Sequence, residues 1–244
     1  MDSRLVQQTS MLEDRHWWHE GRRRVLESVL KALNLPASAA VLDVGCGSGG
    51  NLALLARFGR LVAIEPDTWS RGMAAARGLC EVDAGALPDD VPFGHGSFDL
   101  ITVLDVLEHV EDEAGSLEKL NALLKEGGRL LVTVPAFEFL WSRHDEVHHH
   151  FRRHTRASLA RALRSAGLSV QYTSYFNTIL FPAVAGVRIP GRLLRLRTGS
   201  DLTLPAASVN RLLTAIFGAE RHLLPRLSLP FGVSVIAVAA KTAR

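Results

Sequence analysis

The chain has 244 residues, 47% of them hydrophobic and 22% charged, with a formal net charge of +3. That composition excludes extensive disorder, a collagen-like fibre and a disulfide scaffold, and the length suits one large domain. The charge is unevenly divided: residues 1–150 hold 14 Lys and Arg against 23 Asp and Glu, whereas residues 151–244 hold 14 against 2.

Met1-Asp2-Ser3-Arg4 lacks the basic-then-apolar order of a secretory signal. The best apolar run, Ile179 to Ile189, is cut by Pro182, Gly186 and Arg188 and falls short of the ~20 residues a membrane span needs. Cys46 and Cys80, the only cysteines, are expected to be free thiols in a reducing compartment. A cytoplasmic protein is therefore expected.

In chain order, a helical arm with His16-Trp17-Trp18-His19 and Arg22-Arg23-Arg24 leads into a helix over Arg22–Leu33. Short β-rich apolar runs then alternate with helical patterns, which argues for a mainly parallel sheet covered by helices. Strands are expected at Ala40–Val44, Leu61–Ile64, Leu79–Val82, Phe98–Val103, Arg129–Val134, Leu168–Tyr175 and Gly232–Ala239. Further helices are expected at Gly50–Ala56, Ser70–Ala76, Ala114–Leu124, Arg156–Ala166 and Ala207–Leu223. The chain divides into a helical cover (1–37), an α/β core (38–175), a basic amphipathic insertion (176–231) and a final strand (232–244). Residues 151–200 contain nine arginines and no acid. A field that one-sided attracts an anionic surface or ligand; alternatively it is a solvated face that balances the acidic half.

The strongest local signal is Asp43-Val44-Gly45-Cys46-Gly47-Ser48-Gly49-Gly50, an apolar strand running into closely spaced glycines and then a helix. Glycine admits positive φ and lets backbone approach a ligand. Gly45, Gly47 and Gly50 also satisfy the dinucleotide pattern, so the loop alone does not choose a cofactor. Asp43 weighs against a pyrophosphate and suits a ligand with a cationic amino group. Glu65, at the tip of the next strand, can accept from both hydroxyls of a ribose.

Together with Asp83-Ala84, Ser97-Phe98-Asp99-Leu100-Ile101, Leu104-x-x-Leu107-Glu108-His109-Val110 and Leu124-Lys125-Glu126-Gly127-Gly128-Arg129-Leu130, these motifs resemble a class I S-adenosylmethionine-dependent methyltransferase. The resemblance implies a doubly wound, Rossmann-like α/β fold: a seven-stranded sheet of order 3-2-1-4-5-7-6 with the last strand antiparallel. It implies S-adenosylmethionine as cofactor, with Gly45, Cys46, Gly47 and Gly49 passing beneath it and Asp43 orienting its methionine part. Glu65 would hold the ribose, with Pro66 near the adenine and Asp83 and Ala84 at the adenine edge. Leu104 would place its backbone near the amino group. Trp18 and Arg23 of the arm are candidates to seal the pocket and to pair with the cofactor carboxylate.

Five histidines fall between His144 and His154, after the fifth strand. Histidine is the natural base near neutral pH, so His144 and His149, with Asp145 orienting one of them, are the candidate catalytic residues. A polar lid and a metal site are the competing readings. Asp105-x-x-Glu108-His109 is similar in spacing to the acid, acid and His that bind a divalent ion in ubiquinone-type O-methyltransferases, with Asp in place of the first Glu; it also reads as a helix start packing the sheet, and no metal is expected. The substrate is expected to be a small or lipid-like metabolite, methylated most plausibly on oxygen, with no nucleic acid as partner. The insertion, with Arg188, Arg192, Arg195 and Arg197 among aliphatic residues, suits peripheral contact with an anionic membrane or a basic-mouthed tunnel. A dinucleotide oxidoreductase and a non-catalytic cofactor-binding protein are the alternatives.

Overall fold

The computed structural model describes residues 10, 12–193 and 204–242. Seven strands, β1 (Ala40–Val44), β2 (Arg60–Ile64), β3 (Glu81–Asp83), β4 (Phe98–Leu104), β5 (Leu124–Pro135), β6 (Leu168–Phe176) and β7 (Ser234–Lys241), form one sheet of order β3-β2-β1-β4-β5-β7-β6. β7 runs antiparallel to both neighbours, and the remaining pairs are parallel. This is the topology the motifs imply.

The sheet is buried on both faces, so its strands read as nearly continuous apolar runs. Alternate residues feed two cores. Leu42, Val44, Ile101, Val103, Val132 and Ala237 pack with helices α4 (Glu113–Leu123) and α6 (Arg156–Ser165). Val41, Ala63, Leu100, Leu131 and Ile236 pack on the other side with α1 (Trp17–Ala32), α2 (Leu52–Leu55), α3 (Thr68–Ala76) and α8 (Ala207–Ala219).

Helix α1 presents Val25, Leu26, Val29 and Leu30 to that second core, the i, i+3, i+4 stripe of a half-buried helix. It crosses α8 where Gly21 meets Phe217: a Cβ on Gly21 would lie 2.6 Å from the Phe217 ring. The start of α1 is capped by His16, whose Nδ1 accepts from the Trp18 amide at 3.3 Å, and by Asn210 of α8, which accepts from the Trp17 amide and donates to the Arg15 carbonyl.

Several expected boundaries shift. The third strand is Glu81–Asp83 rather than Leu79–Val82, because only Val62 to Ile64 of β2 offer it a parallel partner. The last strand begins at Ser234 and ends at Lys241. Two helices are additional: α5 (Arg143–Val147), started by a capping box between Ser142 and Asp145, and α7 (Phe181–Leu193) in the insertion. Arg195 and Arg197 lie outside the described residues. No helix among the described residues is long and apolar enough to cross a membrane.

Candidate active site

Parallel strands end together, and the loops leaving their carboxyl ends enclose one cavity of about 960 Å³. That lies at the upper end of the ~300–1,000 Å³ usual for small-molecule sites. One wall is the β1 glycine loop and the β2 tip; the other comes from the turn after β4 and the segment after β5.

At the β1 end, the chain turns sharply: the Gly45 and Cys46 amides both donate to the Ile64 carbonyl. Gly45 adopts φ +69°, and a Cβ there would meet Val106 Cγ2 at 2.7 Å, so only glycine fits. Glu65 Oε2 accepts from the Gly47 amide at 2.8 Å and Oε1 from the Asp67 amide at 3.0 Å. The strand-tip carboxylate thus braces the loop and keeps further lone pairs for a ligand. Burial pushes its pKa up.

Asp43 is 2% exposed; its Oδ1 accepts from Thr102 Oγ1 at 2.6 Å, while Oδ2 has no hydrogen-bond partner among the described residues. Burial raises its pKa to about 7. An acceptor this buried and unsatisfied is costly on its own, and a cationic amino group is the kind of ligand that satisfies it. With the glycine bend and Glu65 beside it, the chemistry of the site fits a nucleoside carrying an ammonium.

Gly45, Cys46, Gly47, Glu65, Pro66, Leu104, Trp18 and Arg23 line the cavity. Asp43, Gly49, Asp83 and Ala84 are not among the lining residues; beyond β3 the wall is made by Gly85, Ala86 and Leu87. Leu104 is the last residue of β4 rather than the first beyond it. Arg23 donates to the carbonyls of Glu13 and Gly50, whereas Arg22 crosses to the sheet, pairing with Asp105 at 2.5 Å and donating to Thr133 Oγ1 at 2.9 Å. Trp18 covers the Arg22 guanidinium. Glu13 carries no motif, yet its carboxylate accepts from Ser48 Oγ at 2.6 Å and so straps the chain before α1 across the glycine loop.

The histidine segment folds around Asp145. That carboxylate is fully buried and accepts from the Ser142 amide, from Arg153 Nε at 2.8 Å and Nη2 at 3.0 Å, and from His150 Nδ1 at 2.9 Å. Burial alone would raise its pKa, but His150 and Arg153 together hold it well below the usual carboxylate range. The expectation that Asp145 orients His144 or His149 is therefore corrected: its histidine partner is His150. His149 takes φ +54°, is exposed, and is not among the cavity-lining residues. His144, His148 and His150 do line the cavity.

Glu108 and His109, in the turn after β4, face the same space. Glu108 is 1% exposed and its Oε2 has no hydrogen-bond partner among the described residues; burial and the nearby Asp105 push its pKa well up. His109 Nδ1 lies 2.9 Å from the His148 carbonyl. Asp105, the first acid of the Asp105-x-x-Glu108-His109 spacing, is held by Arg22 and Thr133 and does not join Glu108 and His109. That three-residue set therefore does not fit a metal here.

On the α7 side the cavity is closed by Leu180, Val184 and Val187, with Asn177 at the turn before the helix. Glu220, from the same basic half of the chain, is buried and accepts from the Asn177, Thr178 and Ile179 amides, which fixes that turn.

A methyltransferase-domain family model matches residues 17–173. A ubiquinone biosynthesis O-methyltransferase of Xanthomonas axonopodis pv. citri is 31% identical over 189 residues, covering 67% of this chain and 79% of the relative. A demethylmenaquinone methyltransferase of Tropheryma whipplei is 35% identical over 127 residues, about half of each chain. Among solved structures, a chain of the complex between the Haloferax volcanii Trm112 methyltransferase activator and a methyltransferase superposes with a TM-score of 0.63 at 20% identity, covering 95% of this chain and 92% of that one. Geranyl diphosphate C-methyltransferase from Streptomyces coelicolor, in complex with Mg2+, geranyl-S-thiolodiphosphate and S-adenosyl-L-homocysteine, superposes at 0.60 and 15% identity, covering 88% and 74%.

Proposed function

Because the chain belongs to the methyltransferase-domain family, and is accordingly an S-adenosylmethionine-dependent methyltransferase, we propose that it methylates an oxygen of a small, amphipathic acceptor bound at the histidine end of its cavity. The observation that carries this reading is the sharing of one cavity by the glycine loop with Glu65 and by the histidine segment. The name of the ubiquinone-pathway relative favours a phenolic oxygen.

S-adenosylmethionine, when bound, supplies an electrophilic methyl group on a cationic sulfur. Glu65 would take the ribose hydroxyls, Asp43, buried just behind the glycine bend, would offset the cofactor's ammonium from beneath the cavity floor, the Leu104 backbone would lie beside that ammonium, and Pro66 with Gly85, Ala86 and Leu87, which form the wall beyond Asp83 and Ala84, would flank the adenine. Arg23 would face the carboxylate, Gly45, Cys46 and Gly47 would keep the floor bare, and Trp18 would exclude water, whereas Gly49 turns towards Arg77, Leu52 and Ala74 and lies off the cavity. In-line transfer needs mainly position, which is worth about 7–11 kcal/mol; a base matters when the acceptor hydroxyl is protonated. His144 is that base. Asp145 is a positioning residue, acting through His150, and His149 drops out because it is exposed.

In calorimetry, Asp43→Ala and Glu65→Ala should each weaken S-adenosylhomocysteine binding at least tenfold, about 1.4 kcal/mol; unchanged affinity in both rejects the site. With labelled donor and a panel of phenols, His144→Ala should lose most of its rate at pH 7 and recover towards pH 10, where the phenol ionises by itself. A full rate at pH 7 rejects the base.

Peripheral contact with an anionic membrane is a second reading, supported by exposed Ile179, Val187 and Leu212 on the insertion and its arginine excess. Flotation with anionic liposomes at low salt, lost at high salt, is expected; no flotation at low salt removes it.

A further inference from the structure

We infer that Asn177 is a specificity-determining residue for the acceptor: its buried side-chain amide binds a hydroxyl at the end of the acceptor remote from the oxygen that is methylated. This rests on the acceptor reading above and adds to it the length and the second polar group of the molecule.

Asn177 directly follows β6, the edge strand of the sheet. Because β7 runs antiparallel to both β5 and β6, β6 points the same way as β5 and delivers Asn177 to the carboxyl edge that carries the cavity. Ser234, the first residue of β7, is in register with both Pro135 and Phe176, and Pro135, Asn177 and Ser234 all line the cavity. Asn177 is 1% exposed, and its Oδ1 has no hydrogen-bond partner among the described residues. Leaving a buried acceptor unsatisfied costs about 1–3 kcal/mol, a penalty that a ligand hydroxyl removes. A hydroxyl both donates and accepts, so it also serves the other end of the amide.

The turn is built to hold that side chain in one place. Asn177 takes φ +56°, a left-handed conformation that asparagine adopts more readily than most residues and that is found at ligand clamps. Glu220, fully buried, accepts from the Asn177, Thr178 and Ile179 amides at 2.7, 2.6 and 2.9 Å. Thr178 Oγ1 donates to the Phe231 carbonyl and ties the turn to the segment before β7. Consecutive amides gathered on one anion form a nest. Here the anion is the protein's own, so the nest fixes the backbone and leaves the Asn177 side chain for the ligand. Glu220 is thus a positioning residue that acts through Asn177.

The sheet supplies the ruler. β4 and β6 are separated by β5 and β7, three strand spacings or about 14 Å. With the reacting oxygen near the turn after β4 and a hydroxyl at the end of β6, the acceptor is elongated and polar at both ends. Leu180 and Val184, one helical turn apart on α7, line the cavity beside Asn177 and suit an apolar body between those ends.

The test is calorimetric binding to the full chain saturated with S-adenosylhomocysteine, using two probes: biphenyl with a hydroxyl at each end, and biphenyl with a single terminal hydroxyl. The first should bind wild type at least tenfold more tightly, about 1.4 kcal/mol. Asn177→Gly keeps the left-handed turn without strain and should bring the two probes within about twofold, the loss falling on the doubly hydroxylated one. Glu220→Gln should reduce the same preference. S-adenosylhomocysteine affinity should stay within about twofold of wild type in both variants, which shows that each has folded; a merely structural role would lower donor and probe binding together. Equal affinity of wild type for the two probes, or a tenfold preference retained by folded Asn177→Gly, overturns the inference and leaves phenol methylation standing. No methylation of any phenol and no binding of either probe overturns the acceptor reading and this inference with it.

Discussion

The two walls of the cavity are built by opposite strategies. The proposed cofactor wall is largely local: Asp43 lies near the end of β1, Gly45 and Gly47 follow in the turn that leaves it, and Glu65 directly follows β2, the strand paired beside it. The acceptor wall is assembled from far apart, with Glu108 and His109 after β4, His150 after β5 and Asn177 before α7. A wall of the first kind can be moved between proteins as a unit, and a wall of the second kind changes whenever one loop changes. That contrast explains why a family match over residues 17–173 reveals the donor and leaves the acceptor to the geometry.

The sharpest way to break the contrast is to damage one wall and read the other. Arg153→Ala removes the clamp on a fully buried carboxylate, and leaving such a charge unpaired costs about 3–5 kcal/mol. Thermal unfolding should fall by roughly 6–20 °C. S-adenosylhomocysteine affinity, measured well below that transition, should stay within about twofold; a large loss would show that the walls are not separable.

Gly21→Ala comes next, since its Cβ would press into the Phe217 ring at 2.6 Å where α1 crosses α8. Overpacking of that kind costs about 1–3 kcal/mol, and denaturant unfolding should register it. Full stability would mean that the helices slide apart freely and that the cover is not a fixed part of the site.

On the cofactor wall, Asp43→Asn has a pH signature. The folded pKa is raised by burial from 3.8 to about 7, so the folded state holds this proton more tightly than the unfolded chain does. Its contribution to stability is complete below pH ~4 and is lost as pH rises towards 7. Asparagine never ionises and keeps that contribution. The variant without ligand should therefore melt above the wild type at pH 8, with the gap closing towards pH 4, while binding S-adenosylhomocysteine at least tenfold more weakly. A gap independent of pH would show that Asp43 is not buried in this way. The smallest effect is expected at Glu27, on the exposed side of α1, where pairs with Lys31 and Arg57 are solvent-screened: Glu27→Gln should cost under ~1 kcal/mol and leave both walls untouched.

The same division governs what could be read from residue order. The glycine bend and the acid at the tip of the second strand are legible because each is a short local pattern with one steric or hydrogen-bonding cause; the strand order follows only from the family resemblance of several motifs together, and the hold of Glu65 on the Gly47 amide appears only in the structure. His150 was not separable from His149, one residue away. The choice depends on a left-handed turn at His149 and on a carboxylate whose partner, Arg153, lies eight residues beyond it. Glu13 and Glu220 carry no motif, and their work, strapping Ser48 and holding the amides of residues 177–179, is done across long separations. Helix α7 falls in the insertion whose arginine and aliphatic residues suit an interfacial helix, but its bounds are hidden because Pro182, Gly186 and Pro190 interrupt the pattern; Pro182 falls in its first turn, where the missing amide costs nothing.

The most direct measurement is a crystal structure with S-adenosylhomocysteine bound. The ribose should lie on Glu65, with the amino group towards Asp43 and the sulfur opening onto the space between Glu108, His144 and His150. A sulfur turned away from that space, or a nucleoside seated elsewhere in the molecule, would contradict it.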